Sequence, residues 1–400
     1  MLVIGLIREG KIPADNRVAL TPAQCRWLHK KFSDIRVVVQ SAETRCYTDA
    51  EYQRAGVEVK EDLGECDVLF GIKEVPVNHL VAGRKYIIFS HTRKKQPYNA
   101  KMLKAMVDKG ISLVDYECLV HEDGQRIIGF GFFAGIVGAH NGIMAYGKRT
   151  GEFNLGRVYE CKDYRQLINT YFGLKLPNIK IAVTGNGRVA HGVLEIMNLM
   201  DVREVEPEDF KQQQFTYPVY AHFKGSNLYR HKGGEVYRRD EFHQNPSMYE
   251  CVFEEFCAHA DVLMNGVYWD KHIPQLFTWD TMKRDDFKIQ TIADITDDAY
   301  GSVPCNIGDG TFEEPVYGVH KLSGERTAPY LETSVDVMAV GNLPNELPRD
   351  ASRYFGEQLI KHVLDDLRTG SSVIVDKATI LIDGKLTEKY SYLQDYVDNA

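Results

Sequence analysis

The chain is predicted to be α/β, built on doubly wound parallel sheet, and three observations say so. Residues 1–130 alternate strand and helix signals. Several of the strand signals, such as Asp67-Val-Leu-Phe-Gly-Ile72 and Tyr86-Ile-Ile-Phe89, are short unbroken apolar runs, as in strands buried on both faces. Residues 178–200 read as a strand, a glycine turn and an amphipathic helix, which is the opening of a dinucleotide-binding unit.

In order, Leu2–Ile7 is the first strand. Thr21 caps a helix whose first position is Pro22 and whose apolar face continues through Leu28 and Phe32. Ile35–Gln40 is a strand, and Thr48 caps a helix running to Ala55. The two apolar runs above follow, then a helix over Asn99–Lys109 and a strand at Ser112–Asp115. Ala134–Gly147 carries a small residue every three or four positions, so it reads as a helix pressed against a neighbour and joining two domains. Past the glycine turn, Val202–Glu206 is the next strand and residues 211–248 an irregular insertion rich in Tyr, Lys, Arg and Gly. Phe253–His259 reads as helix, Asp261–Met264 and Ile289–Ile295 as strands. From Thr333 the pattern turns helical and ends in Ala351–Leu367, before a small hairpin around Asp383-Gly384.

The glycine turn is Thr184-Gly-Asn-Gly-Arg-Val-Ala190. Gly185 permits the tight turn, Gly187 leaves room for a pyrophosphate, and Ala190 is small where the pattern often has a third glycine. Free N–H groups at the helix start face the phosphates. The acid that grips the adenine ribose is expected about twenty residues beyond the first glycine. Glu206 fits that place and repels a 2′-phosphate, which favours NAD; the cations Arg203 and Lys211 leave NADP open.

Composition excludes other classes. A net charge of −8 and the lack of a dense basic run argue against nucleic acid as a partner. No apolar segment reaches the roughly 18 residues that span a bilayer. Met1–Glu9 reads as a strand rather than a signal peptide, since no basic region precedes it. The 8 cysteines are scattered without a CxxC pair and are expected to be reduced thiols in the cytoplasm. No His or Cys spacing supports a metal, and no Gly-x-Ser-x-Gly elbow is present.

Open α/β sheets hold ligands beyond the carboxyl ends of their strands. That rule selects Lys73 and Glu74 after Ile72, His91 after Phe89, Glu117 after Asp115, and Asp294, Asp297 and Asp298 after Ile292. A lysine and a histidine at two such ends can converge. Exclusion of water and a second cation lower the lysine pKa, and a carboxylate at Glu74 or Glu117 opposes this. Such a pair suits proton transfer coupled to hydride transfer at an amine carbon. Arg17, with its planar fork, suits a substrate carboxylate.

Long motifs carry a family resemblance. Gly71-Ile-Lys-Glu74, Phe89-Ser-His-Thr-Arg-Lys-Lys-Gln96, Asp115-Tyr-Glu117, Phe130-Gly-Phe-Phe-Ala-Gly135, Val267-Tyr-Trp-Asp-Lys271, Ile292-Ala-Asp-Ile-Thr296 and Gly341–Ser352 resemble the lysine-ketoglutarate reductase domain and the lysine-forming saccharopine dehydrogenases. The wider superfamily holds alanine dehydrogenase and the NAD-binding part of transhydrogenase, with which the chain shares Arg17, Lys73, His91 and the glycine turn.

The resemblance implies two Rossmann-like domains with a cleft between them. The first is a substrate domain, residues 1–133 completed by 325–400; the second, 134–324, binds the dinucleotide. It also implies that saccharopine gives a hydride to NAD and that the imine adds water and splits to lysine and 2-oxoglutarate. By motif match Lys73 is the base for the secondary amine and His91 moves protons during imine hydrolysis. Arg17, Lys73, Gln96, Arg126 and Phe130 line the substrate pocket, and Glu74 and Glu117 tune the pair. Gly185, Gly187, Arg188, Val189, Glu206, Asn265, Gly266, Val267, Ala293, Asp294, Ile295 and Thr296 surround the cofactor. The glutamate-forming domain of the bifunctional enzymes has no counterpart in the chain, and Glu206 departs from the NADPH habit of the reductase domain. The alternatives are an alanine-dehydrogenase-like reductive amination of a small 2-oxo acid and a non-catalytic dinucleotide sensor. The expected partner is a small amino-acid or 2-oxo-acid substrate, and nothing in the chain sets an oligomeric state.

Overall fold

The computed structural model describes residues 1–122, 124–370 and 372–400. They form two compact units, Met1–Phe130 with Pro348–Ala400, and Gly131–Leu347. No described helix is long and apolar enough to cross a membrane.

In the first unit six strands lie parallel: β1 (Leu2–Leu6), β2 (Ile35–Gln40), β3 (Glu58–Lys60), β4 (Val68–Phe70), β5 (Lys85–Ile88) and β6 (Ser112–Asp115). Their order is β6-β5-β4-β1-β2-β3, so chain order reverses between β1 and β4. A crevice opens beyond the strand ends at such a reversal. The elements form where local chemistry asks for them. Thr21 and Gln24 make a reciprocal cap on the helix Pro22–Lys31, and Thr48 and Glu51 do the same for Asp49–Arg54.

The second unit opens with the helix Gly131–Thr150. Its glycines allow close approach: a Cβ at Gly135 would meet Val189 O at 2.0 Å, and one at Gly192 would meet Phe132 O at 2.0 Å. The helix Arg188–Leu199 therefore packs against it backbone to backbone. The strands are β7 (Lys180–Thr184), β8 (Arg203–Glu204), β9 (Val219–Phe223), β10 (Tyr229–His231), β11 (Tyr249–Cys251), β12 (Val262–Asn265), β13 (Thr291–Asp294), β14 (Val316–His320), β15 (Arg326–Thr327) and β16 (Ser334–Met338). Eight of them form a sheet in the order β15-β14-β16-β13-β12-β7-β9-β8, while β10 and β11 pair apart. β14 is antiparallel to β16 and to β15; the six from β16 to β8 run parallel. Here the reversal lies between β7 and β12. Phe210, Phe223, Phe253, Phe256 and Tyr249 anchor the core on one side of this sheet.

The first sheet is completed by β17 (Thr379–Ile382) and β18 (Lys385–Leu386), β17 pairing antiparallel with β6. Asp383 and Gly384 connect them with φ of 47° and 77°, as the mirror-image hairpin turn requires.

The structure corrects four expectations. Residues 334–338 are strand, not helix: all five are buried, and β-branched Val335 and Val337 sit between β13 and β14. The return to the first unit consequently falls at Pro348 rather than at 325. The stretch Val202–Glu206 supplies only the two-residue edge strand β8, while the supposedly irregular 211–248 contains β9, a buried strand beside β7. Phe253–His259 holds a short 3-10 turn, Phe253–Phe256, in place of an α-helix.

Candidate active site

At the reversal in the first sheet, the segments after β1 and β4 are joined by one side chain. Glu9 accepts the backbone N–H of Ile72 at 2.6 Å and of Lys73 at 2.9 Å. Burial, then the nearby Asp15, push this carboxyl up to about 8, against the pull of the two N–H groups and Arg17. The clamp fixes the main chain of Lys73. Burial brings the Lys73 ammonium down to about 8, and Arg17 and Lys11 add to the effect; Asp15 and Glu74 oppose it.

Glu74 connects Lys73 to the end of β5. Its Oε1 lies 2.7 Å from His91 Nδ1, and Lys11 Nζ stands 3.3 Å from Oε2. Burial works to raise the Glu74 carboxyl, but the His91 hydrogen bond and the His91 and Lys11 charges outweigh it and hold it at about 2. His91 itself sits at a φ of 50°, a left-handed bend that turns the chain at the strand end. The structure thus places Lys73, Glu74 and His91 at the strand ends, with the Glu74 carboxylate touching the His91 imidazole and acting on the Lys73 ammonium.

Among the other residues expected to line the pocket or tune the pair, several side chains already have partners within the protein. Arg17 is 3% exposed and already forks onto Asp15, with Nε 2.9 Å from Oδ1 and Nη2 2.5 Å from Oδ2. Its guanidinium stacks 4.1 Å over Phe130, which in turn stacks on Phe355 at 4.5 Å. Arg17 therefore acts on Lys73 as a fixed neighbouring cation. Glu117, buried, gives its carboxylate to Arg126. Gln96 is half-buried and precedes the short turn Pro97–Asn99. Glu9, Lys11 and Asp15 are absent from the residues that sequence reasoning selects. Glu9 follows β1 as Lys73 follows β4, so the same strand-end rule finds it.

At the reversal in the second sheet lies the glycine turn. Gly185 has a φ of 103°, and a Cβ there would meet Gly266 O at 2.5 Å. Gly187 is the N-cap of the helix Arg188–Leu199 and supplies no side-chain cap. A Cβ on Gly187 would meet nothing within 4 Å, so the ground before the first N–H groups, at Arg188 and Val189, is open. These residues fit a pyrophosphate.

Around the turn, polar side chains tie the strand ends together. Thr184 Oγ1 donates to Asn265 Oδ1 at 2.9 Å, Asn265 Nδ2 donates to Asp294 Oδ1 at 2.7 Å, and Asn306 Nδ2 donates to Asp294 Oδ2 at 2.8 Å. Thr296 Oγ1 donates to Val267 O at 2.7 Å. Asn265 and Asp294 are 0% and 1% exposed. Burial pushes the Asp294 carboxyl up to about 6 despite its Asn306 and Asn265 donors. These side chains brace β7, β12 and β13. Ala293 is buried, and Ile295 packs where Gly138 leaves room for it.

Glu206 is not at the end of the strand beside β7. It is the exposed N-cap of the helix Pro207–Gln212, beyond β8 at the sheet edge. The strand beside β7 is β9, register Thr184 to Phe223. Strands are spaced about 4.8 Å, so Glu206 stands about 10 Å to the side of β7. The basis for choosing NAD over NADP is removed.

Residues 5–137 match the family profile of the alanine dehydrogenase/PNT N-terminal domain. Over 448 aligned residues the chain is 28% identical to the mitochondrial alpha-aminoadipic semialdehyde synthase of Rattus norvegicus, covering 98% of this chain and 47% of that protein. The chain thus spans about half the length of the synthases it matches. It is 23% identical over 397 residues to the lysine-forming, NAD(+) saccharopine dehydrogenase of Yarrowia lipolytica, covering 94% of this chain and 96% of that one. Among solved structures, an L-alanine dehydrogenase shares the fold with a TM-score of 0.65 at 15% identity, over 100% of this chain and 99% of the other. The Sinorhizobium meliloti transhydrogenase does so at 0.58 and 16%, over 96% and 98%. The likeness to the synthases and the saccharopine dehydrogenases thus runs along nearly the whole chain, the alanine dehydrogenase/PNT profile covers its first third, and the solved structures share its α/β fold.

Proposed function

We propose that the protein is an NAD(P)-dependent dehydrogenase acting on a carbon–nitrogen bond, of the lysine-forming saccharopine dehydrogenase type. The observation that carries this reading is Lys73: a half-buried lysine brought down to about 8 beside a histidine–glutamate pair at the sheet's reversal. A lysine near neutrality exchanges protons with an amine substrate in the working pH range. The relatives named for saccharopine and aminoadipic semialdehyde chemistry support the substrate class.

When bound, the dinucleotide supplies the hydride acceptor, and the Gly185–Val189 turn is assigned to its pyrophosphate. Lys73 in its neutral form takes the proton from the secondary ammonium of saccharopine, leaving the amine lone pair to expel hydride from the adjacent carbon. After the resulting imine forms, His91, oriented by Glu74, takes a proton from the attacking water. The protonated His91 then gives that proton to the carbinolamine nitrogen, the carbon–nitrogen bond breaks as the hydroxyl oxygen becomes the carbonyl and returns its proton to the imidazole, and lysine and 2-oxoglutarate leave. Glu9 holds the Lys73 main chain throughout, and Arg17 keeps the Lys73 amine weakly basic.

The test follows nicotinamide absorbance with NADH and NADPH, offering 2-oxoglutarate plus lysine against pyruvate plus ammonia. Turnover with the first pair is expected. Turnover with the second pair alone would assign the protein to alanine-type reductive amination, and none with either would end the dehydrogenase reading.

A further inference from the structure

The order of strands in the second sheet bears on which dinucleotide is bound. In doubly wound sheets the adenine ribose lies beyond the carboxyl end of the strand next to the glycine-turn strand, and the residue there decides between a 2′-hydroxyl and a 2′-phosphate. In this chain that strand is β9 and the residue after it is Lys224.

Three contacts tie the end of β9 to the turn. Thr184 and Phe223 are in register, Gly185 N donates to Phe223 O at 3.0 Å, and His222 Nε2 lies 2.7 Å from Gly185 O. His222 is 5% exposed, and burial lowers its pKa, so the ring is neutral and its Nε2–H donates to that carbonyl. Lys224, two residues further along, is exposed. Its charge and that of His191, in the first turn of the following helix, both act on His222, as does Glu204 with the opposite sign. Glu204 is on β8, one strand further out, and accepts from Tyr220 Oη at 3.2 Å. The ground nearest the turn therefore presents an ammonium where NAD-specific sites present a carboxylate. A carboxylate accepts from both ribose hydroxyls; an ammonium has no acceptor to offer and attracts a phosphate.

We propose that Lys224 contacts the adenosine 2′-phosphate and makes this chain prefer NADP(H) to NAD(H). The proposal rests on the dinucleotide reading above.

Titration of the full chain with NADPH and NADH, followed by nicotinamide fluorescence, tests it without requiring turnover. NADPH is expected to bind at least about tenfold more tightly, and 2′,5′-ADP to bind more tightly than 5′-ADP by calorimetry. Lys224→Ala removes most of that ratio by weakening NADPH alone, and Lys224→Glu reverses it. Because Lys224 is exposed, neither replacement disturbs the core. Equal or tighter binding of NADH, or an unchanged ratio in Lys224→Ala, overturns the proposal while leaving the dehydrogenase reading intact. A ratio that shifts in Glu206→Ala but not in Lys224→Ala overturns it in favour of the edge glutamate. Binding of neither dinucleotide rejects both.

Discussion

His91 and Glu74, seventeen residues apart on neighbouring strand ends, are joined by a 2.7 Å contact between Nδ1 and Oε1. The same carboxylate raises the basicity of Lys73, while Lys11 lowers it. If the proposed base is Lys73, oxidation of saccharopine needs its neutral form, so the rate should climb with pH to a plateau above about 8. Glu74→Gln moves that limb to lower pH, and Lys11→Met moves it to higher pH. Rate–pH profiles of the two variants should bracket that of the parent; shifts in the same direction would contradict the assignment.

Glu74 also bears on acid stability. Its folded pKa lies below the ordinary 4.5, at about 2, so its contribution is present above 4.5 and is lost as pH falls from there through about 2. Glu74→Gln should lose stability at neutral pH and unfold with a shallower acid limb in that window, as circular dichroism measures.

Lys73→Met should reduce turnover by about 10²–10⁴-fold and leave dinucleotide affinity unchanged, since the glycine turn belongs to the other unit. It should also raise the thermal midpoint at pH 7. A lysine whose folded pKa falls from 10.5 to about 8 disfavours the folded state below about 8, and the penalty fades between about 8 and 10.5. Midpoints measured from pH 6 to pH 10.5 should show the variant's advantage shrinking over the upper part. A Lys73→Met variant that turns over like the parent would remove the proton role.

Glu9→Gln replaces two acceptor oxygens by one, facing the N–H groups of Ile72 and Lys73. A buried donor that loses its acceptor costs about 1–3 kcal/mol, so kcat should fall by at least about tenfold with the Kd for dinucleotide unchanged. Glu9, raised to about 8, contributes stability that is full below its unfolded value of 4.5 and lost as pH rises through about 8. The variant should lack that alkaline decline in its melting profile.

Gly192→Ala is expected to be destabilising by about 1–3 kcal/mol or more, because its methyl would meet Phe132 O at 2.0 Å, where backbone cannot retreat. Gly187→Ala meets nothing within 4 Å, so its melting midpoint should stay near that of the parent while its dinucleotide affinity falls. Differential scanning calorimetry with and without NADPH separates the two effects.

Much of the first unit is legible in the sequence because its parallel strands are short apolar runs, and position past a strand end is a local property. That places Lys73, Glu74 and His91. Arg17 is equally visible, but its pairing with Asp15 is made in an irregular stretch of backbone that no periodicity encodes. β9 escapes a sequence reading because Val219-Tyr-Ala-His-Phe223 carries a histidine and is flanked by Tyr, Lys and Gly. Its place beside β7 comes from pairing across residues far apart in the chain. Ser334–Met338 misleads for a related reason: Asp336 breaks the apolar run, yet it is buried against Arg149 at 2.9 Å. Glu206 is misplaced by the sequence because counting about twenty residues from the first glycine assumes that the next strand in sequence is the next strand in space.

The junctions at Phe130 and Pro348 set an order of assembly. On a translating ribosome the stretch 131–347 emerges uninterrupted and has every strand of its own sheet to hand. Residues 1–130 do not: β17, Phe355, and the Ser352 hydroxyl that accepts from Val18 N at 2.9 Å arrive only after all of 131–347 has been made. The portion synthesised earlier is thus the portion finished later, and until then the edge of β6 that β17 covers stays unpaired.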